Sequence, residues 1–209
     1  PEAAVGAFGN IASFYQNQQM LHQTPPPLSD LAAPDVEGAR LLIESVLTER
    51  RRILTEMESK ALLSAFHIPV TQTILARSAN EAMMIATQLG YPVALKIDSP
   101  DIPHKSDVNG VALNVMNGVS VRDIFERMMK SISRKMPNAR INGVSVQRMA
   151  RQTRGRELYI GMSTDEPFGP VIAFGAGGLS VELYGQRSME LPPLNQFLAR
   201  QMIEHSNVA

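Results

Sequence analysis

One lysine stands in an apolar stretch of the chain and is followed by a long, charged connection. The stretch is VALKI, residues 93–97, and the connection runs from Asp98 to Asn109 through His104, with prolines at 100 and 103. Two residues suffice to join the strands of a hairpin, and longer loops often carry function. A lysine can hold an anion, and a histidine can act as a base or nucleophile near neutral pH. The pattern indicates phosphate or phosphoryl chemistry, while a solvated loop histidine is the alternative.

Polar groups also recur on one face of three predicted strands. Side chains alternate faces along a strand, so VALKI, VSVQR and ELYIGM each have an apolar face and an opposite face. The opposite faces carry Lys96, Gln147 and Glu157. One interpretation is an antiparallel sheet with a solvated side. The other is a ligand lying on that side, with the lysine at an anionic group and the polar pair at a base or sugar.

A glycine-rich turn is a weaker signal. GAGG, residues 175–178, permits positive φ and close approach of the backbone, but it is neither a dinucleotide fingerprint nor a phosphate loop. A bulge or tight turn is the default interpretation. Glu182 follows it and could either supply a carboxylate to a cation site or face solvent.

Composition excludes several classes of function. The chain has 209 residues, with 20 basic and 20 acidic side chains and no cysteine. Zero net charge predicts no binding to nucleic acid or an anionic membrane. No apolar run approaches the roughly 20 residues that span a bilayer. The lack of cysteine removes disulfides and thiolate sites and fits a reducing, cytoplasmic compartment.

The elements that must position these residues alternate between helix and strand early in the chain, and strands cluster late. This order predicts an α/β fold with a mixed α+β sheet. We expect a helix in residues 1–23, a linker with four prolines in residues 24–35, and a helical region from residue 36 to about 66 that is broken near 49–52. Further expectations are a helix capped by Ser78 and ended by Gly90, a helix capped by Ser120 with an apolar stripe, a left-handed turn at His67, and a last helix from about Leu194.

Four segments in order resemble the ATP-grasp portion of the NDP-forming acyl-CoA synthetases, which are relatives of the succinyl-CoA synthetase β subunit. The segments are GYPVALKIDSPDIPHKSDVNGV, VQRMA, GRELYIGMSTDEPFGPVIAFGAGG and LPPLNQFLARQMI. The resemblance covers residues 36–209 and implies an ATP-grasp fold that is incomplete at its C-terminal end. It also implies that residues 1–23 are the terminal helix of a preceding CoA-ligase domain.

The resemblance implies roles for individual residues. Lys96 would contact nucleotide phosphates, Gln147 and Met149 would lie at the adenine, and Glu157 would reach the ribose or base. The loop through His104, Ser106 and Gly110 would cover the phosphates, with His104 taking part in phosphoryl relay. Where the family usually has glycine, this chain has Asn109.

The reaction implied is ATP, an acid and CoA giving acyl-CoA, ADP and phosphate through an acyl phosphate and a phosphohistidine. The cofactors would be ATP and Mg²⁺, with the metal ligands expected beyond residue 209. CoA or acyl-CoA would be bound by other domains of the same parent chain. An alternative is a non-catalytic regulatory domain of a bacterial GNAT-type protein lysine acetyltransferase, in which the same ATP-grasp block occurs.

Overall fold

A computed structural model describes residues 2–21, 32–149, 155–178, 187–206 and 208. The helices are α1 (Glu2–Leu21), α2 (Val36–Thr48), α3 (Glu56–Ala65), α4 (Ala79–Leu89), α5 (Gly118–Lys135) and α6 (Gln196–Glu204). The strands are β1 (Thr73–Ala76), β2 (Val93–Asp98), β3 (Val111–Val115), β4 (Gly143–Arg148), β5 (Leu158–Asp165), β6 (Gly169–Ala176) and β7 (Ser188–Glu190). The predicted α/β class is confirmed, with antiparallel pairing throughout both sheets.

The chain divides into two compact units, one of residues 31–151 and the other of residues 1–30 with 152–209. The first contains a four-stranded sheet in the order β1-β4-β2-β3. One face of this sheet packs on α4 and α5, where apolar side chains at helical spacing meet the apolar face of the strands. The core includes Ala82, Ile85, Val93, Leu95, Ile97, Val121, Phe125, Met128, Ile132, Val144 and Val146.

Helix boundaries in this unit follow local capping chemistry. The Ser78 hydroxyl accepts a hydrogen bond from the Glu81 amide, and Gly90 ends α4 at φ +82°, as predicted. The Glu81 carboxylate, however, accepts from the amide of Arg77 rather than from that of Ser78. The predicted cap at Ser120 is wrong, because Asn117 caps α5 and accepts from the Ser120 amide. Asparagine and serine are both good caps, and residues 118 and 119 continue the helical spacing.

The predicted break in the helical region is confirmed as the connection between α2 and α3. Thr55 caps α3 in a complete capping box with Glu58. The Arg51 guanidinium donates two hydrogen bonds to the same Glu58 carboxylate, at 2.9 and 2.5 Å. At the other end of α3, His67 has the expected left-handed backbone, with φ +57°. These contacts set the position of α3 along the chain.

The second unit contains the sheet β5-β6-β7, with α6 packed beside β6 and β7. Alternation along β5 is as predicted, and Leu158, Ile160 and Met162 share a face, but all three are more than half exposed. Helix α1 confirms the predicted helix, and its side chains are exposed from residue 2 to residue 19. The last helix begins at Gln196 with Asn195 as its cap, two residues later than predicted.

Two predicted features lie outside the described residues: most of the linker, residues 22–31, and Glu182. Among the described residues, no helix is long and apolar enough to cross a membrane.

Candidate functional site

Lys96 lies in the middle of β2, on the face of the sheet opposite the core. Its neighbours across the strands are Ser145 on β4 and Val111 on β3. The pairing of Ala94 with Gln147 places the Gln147 side chain on the same face, as the alternation predicted. Antiparallel register therefore brings Lys96 and Gln147 together on adjacent strands.

This face is not the solvated side of a sheet. Ala94 and Ser145 are both fully buried, and the Ser145 hydroxyl donates a hydrogen bond to the Lys96 carbonyl. Helix α3 reaches this face, because the side chains of Glu56 and Lys60 bond to residues on β2 and β4. The interpretation as a wet-sided sheet is wrong for this reason.

Three lysines converge on the single carboxylate of Glu56, the first residue of α3. The Lys96 ammonium lies 2.9 Å from Oε1, that of Lys105 lies 2.8 Å from Oε2, and that of Lys60 lies 3.3 Å from Oε1. All four side chains are at most a quarter exposed. The cluster carries two more positive charges than negative ones, which suits a polyanionic ligand.

The electrostatics of Glu56 follow from this geometry. Burial alone would raise the pKa of the Glu56 carboxyl, but hydrogen bonds from Lys105 and Lys96 outweigh burial and lower the pKa to about 2. Glu56 is therefore ionised at neutral pH.

Lys60 connects the cluster to Gln147. Its ammonium donates to the hydroxyls of Thr71 and Thr73, at 3.0 and 2.5 Å, and to Oε1 of Gln147 at 2.8 Å. The amide NH₂ of Gln147 is the half of the group that Lys60 does not engage. Met149 follows at the end of β4, where its backbone N–H donates to the Pro92 carbonyl.

The charged connection folds back on β2 through a short turn. Residues Lys105–Val108 form one 3₁₀ turn that ends at Asn109, whose φ is +59°. The Gly110 amide donates to the Lys105 carbonyl at 2.7 Å, and the Ile97 amide donates to the Gly110 carbonyl at 2.8 Å. Asparagine tolerates this left-handed conformation, so its replacement of the family's glycine fits the turn.

His104 and Ser106 lie exposed at the start of this turn, while Lys105 between them points to Glu56. Beside Lys105 is a cleft of about 270 Å³ between the α2–α3 connection and the loop. Its lining includes Thr55, Glu56, Ser59, Ser99, Ile102 and Lys105. The loop thus presents His104 outward and Lys105 inward.

Glu157 does not share the sheet of Lys96 and Gln147. It precedes β5 in the second unit, where its carbonyl accepts from the Gly177 amide at 2.7 Å and its side chain lies against Gly178. The expectation of three polar groups on one sheet is therefore corrected: strand alternation predicts which way a side chain points but not which sheet contains the strand. Gly178 has the positive φ that the glycines were expected to permit, +67°, whereas Gly175 lies in β6 and pairs with Tyr159.

The sequence analysis assigned no role to three residues of the cluster, Glu56, Lys60 and Lys105. The available signal was the i, i+4 spacing of Glu56 and Lys60 on one side of a predicted helix. That spacing is common on solvated helices, so it does not by itself indicate a site.

The described residues contain no group of three or more His, Asp or Glu side chains that could hold a metal ion.

Fold and cluster together define a class of protein. The ATP-grasp domain family matches residues 45–209, and the chain belongs to that family. It is similar to ADP-forming acyl-CoA synthetases in particular. The β subunit of ADP-forming acetate–CoA ligase I from Pyrococcus furiosus is 39% identical over 168 residues, which are 80% of this chain and 71% of that subunit. ADP-forming acetate–CoA ligase I from Archaeoglobus fulgidus is 41% identical over 80% of this chain but only 24% of its own length.

Solved structures agree. The dinucleotide-forming acetyl-coenzyme A synthetase 1 of Candidatus Korarchaeum cryptofilum, in complex with coenzyme A, Ca-AMPCP and HgCl⁺, matches with a TM-score of 0.74 and 39% identity over 81% of this chain and 73% of that one. The same enzyme with coenzyme A and Mg-AMPPCP, its phosphohistidine segment pointing towards the nucleotide binding site, matches with a TM-score of 0.67 and 35% identity over 81% and 71%. The chain therefore belongs to the NDP-forming acyl-CoA synthetase family, and it spans 71% of the Pyrococcus furiosus subunit and 71–73% of the two solved chains.

Proposed function

We propose that this chain is the ATP-binding portion of an ADP-forming acyl-CoA synthetase. The complete reaction converts ATP, an acid and CoA into acyl-CoA, ADP and phosphate. The convergence of Lys96, Lys105 and Lys60 on one carboxylate supports the proposal, because the cluster has an excess positive charge that suits the phosphates of ATP. ATP supplies the phosphoryl group, and this chain binds and orients it.

The residues divide the nucleotide between them. Lys96 and Lys105 donate hydrogen bonds to phosphate oxygens and offset their charge. Gln147 presents its amide NH₂ and Met149 its side chain to the base. The role of Glu157 at the ribose or base stays a proposal that rests on the family resemblance. Gly110 and Ser106 belong to the loop that covers the phosphates.

His104 is proposed as the phosphoryl acceptor of the loop. Its side chain is exposed at the N-terminal end of the 3₁₀ turn, so an imidazole nitrogen is accessible to an incoming group. Mg²⁺ would be held by residues other than the described ones, and Glu182 stays a weak candidate.

Partners and setting stay predictions. CoA and acyl-CoA would bind other domains of the parent protein, and α1 would end a preceding CoA-ligase domain. No nucleic acid or membrane partner is expected, and the location would be cytoplasmic. The relatives named above are ligases, which favours the synthetase over the regulatory acetyltransferase domain.

The test is ATP binding by isothermal titration calorimetry with Mg²⁺. We expect Lys96→Ala to raise the Kd for ATP about 10- to 100-fold, because a charge-assisted hydrogen bond to phosphate is lost. Lys130→Ala is the matched control, since Lys130 is exposed on α5. Its affinity should equal that of the unsubstituted chain. Absence of ATP binding by the unsubstituted chain would refute the proposed function.

A further inference from the structure

Helix α3 reaches the proposed nucleotide site with two side chains one turn apart, Glu56 and Lys60. They engage opposite ends of that site: Glu56 contacts Lys96 and Lys105, and Lys60 contacts Gln147. Neither contact was expected from the residues that resemble the family's nucleotide ligands.

Lys60 has no hydrogen left for a phosphate. An ammonium group has three N–H donors. In Lys60 these are taken by Thr71, Thr73 and Gln147, whose oxygens lie 3.0, 2.5 and 2.8 Å away. Lys60 therefore acts on the site through Gln147, whose carbonyl oxygen it holds.

Lys96 and Lys105 differ from Lys60 in this respect. Within the described part of the chain, each donates from its ammonium to Glu56, at 2.9 and 2.8 Å, and two N–H groups on each remain for a ligand. The two oxygens of one carboxylate thus set the positions of two ammonium groups. Without that carboxylate, three like charges would face one another in a partly buried space and would move apart.

We infer that Glu56 and Lys60 are positioning residues of the nucleotide site. Glu56 aligns Lys96 and Lys105 for the phosphates, and Lys60 aligns Gln147 for the base. The inference rests on the proposed function and deepens it, because it assigns each end of the nucleotide to one residue of α3. Neither residue touches the nucleotide.

Two other roles give different results. If Glu56 only competed with phosphate for the lysines, its removal would tighten ATP binding. If Glu56 and Lys60 only held α3 on the sheet, their removal would lower the thermal stability and would weaken the binding of every ligand by the same factor. Only a positioning role makes the loss of affinity depend on whether the ligand carries phosphates or a particular base.

The test is calorimetry on the full chain with ATP, GTP and adenosine as probes. Glu56→Gln should weaken ATP binding about tenfold and leave the affinity for adenosine unchanged, because only Lys96 and Lys105, which bind the phosphates, lose their alignment. Lys60→Met should weaken the binding of ATP and of adenosine by the same factor. It should also change the ratio of the ATP and GTP affinities, because the Gln147 amide at the base loses the ammonium group that orients it.

Matched controls are Glu44→Gln, an exposed carboxylate on α2 that pairs with Arg40, and Lys130→Met. Both should bind like the unsubstituted chain. Thermal unfolding of every variant checks folding. If Glu56→Gln does not fold, Glu56→Asp serves instead, since it keeps the charge, shortens the reach and should show the same selective loss for ATP.

Tighter ATP binding by Glu56→Gln, or equal losses for ATP and adenosine in that variant, would overturn the inference and leave the proposed function standing. An unchanged ATP-to-GTP ratio in Lys60→Met would overturn the assignment of Lys60. Failure of the unsubstituted chain to bind any probe would refute the proposed function and this inference together.

Discussion

At the scale of single residues, the balance of charge around Glu56 is the main determinant of the site. Moving a carboxylate out of water is costly, and the cost is offset only when close partners compensate it. Here Lys96 and Lys105 hydrogen-bond to its two oxygens, and Lys60 adds a third positive charge. The Glu56 carboxylate is therefore ionised at neutral pH, and it holds the ammonium groups of Lys96 and Lys105 in positions where they can bind an anion.

The depressed pKa of Glu56 makes stability depend on pH in a defined window. Its folded pKa of about 2 lies below the ordinary value of 4.5, so the folded state binds its proton less readily than the unfolded state does. The stabilisation is complete above about pH 4.5 and is lost as pH falls towards 2. We expect Glu56→Gln to remove on the order of 2 kcal/mol of this pH-dependent free energy of unfolding.

Urea unfolding at several pH values between 6 and 2.5 measures this, with Glu44→Gln as the control. The curve of Glu44→Gln should parallel that of the unsubstituted chain. An unchanged pH slope in Glu56→Gln would contradict the prediction.

At the scale of elements, the charged loop depends on a close crossing at Gly110. A Cβ there would lie 2.6 Å from Cγ2 of Ile97 and 2.8 Å from the carbonyl oxygen of Lys105. The Ile97 side chain belongs to the buried core, and the Lys105 carbonyl is backbone, so neither can yield cheaply. The loop therefore returns onto β2 with Lys105 facing Glu56 without strain only if residue 110 is glycine.

Gly110→Ala should lower the free energy of unfolding by about 1–3 kcal/mol, because the added methyl overpacks this crossing. It should also weaken ATP binding, since Lys105 moves with the turn. Gly6→Ala is the control, because a Cβ at Gly6 in α1 meets no atom within 4 Å. Chemical denaturation and calorimetry measure the two effects. An unchanged free energy of unfolding in Gly110→Ala would show that the loop can adopt another backbone conformation without cost.

At the scale of the whole molecule, net charge and local charge differ. The chain carries no net charge, yet its proposed site has an excess of two positive charges. Long-range attraction of an anion is therefore weak, and affinity depends on contacts inside the site.

Nucleotide binding should stabilise the folded chain by mass action. ATP with Mg²⁺ at a hundred times its Kd should raise the free energy of unfolding by about 2.7 kcal/mol. Thermal unfolding followed by circular dichroism measures the rise in Tm. At the same ATP concentration Lys96→Ala, with its 10- to 100-fold higher Kd, should gain only about 0.4–1.4 kcal/mol and show a correspondingly smaller rise in Tm. An equal rise in Tm for Lys96→Ala would place ATP elsewhere on the chain.

The sequence by itself determined the parts of this protein that depend on neighbours along the chain. Alternation in VALKI and VSVQR placed Lys96 and Gln147 opposite the apolar side chains of their own strands, because side chains on a strand alternate strictly. The left-handed turn at His67 and the end of α4 at Gly90 also followed from local conformational preferences.

Only the tertiary structure decided what lies over that face. Ala94 and Ser145 are buried there. Glu56 meets Lys96 and Lys105, which lie 40 and 49 positions further along the chain. Lys60 meets Gln147, which lies 87 positions further along. Glu157 precedes β5, which belongs to the other sheet, and no local pattern indicates that separation either. Contacts of this range depend on how a helix packs against a sheet, and no local periodicity records which of its charged side chains faces the sheet and which faces water.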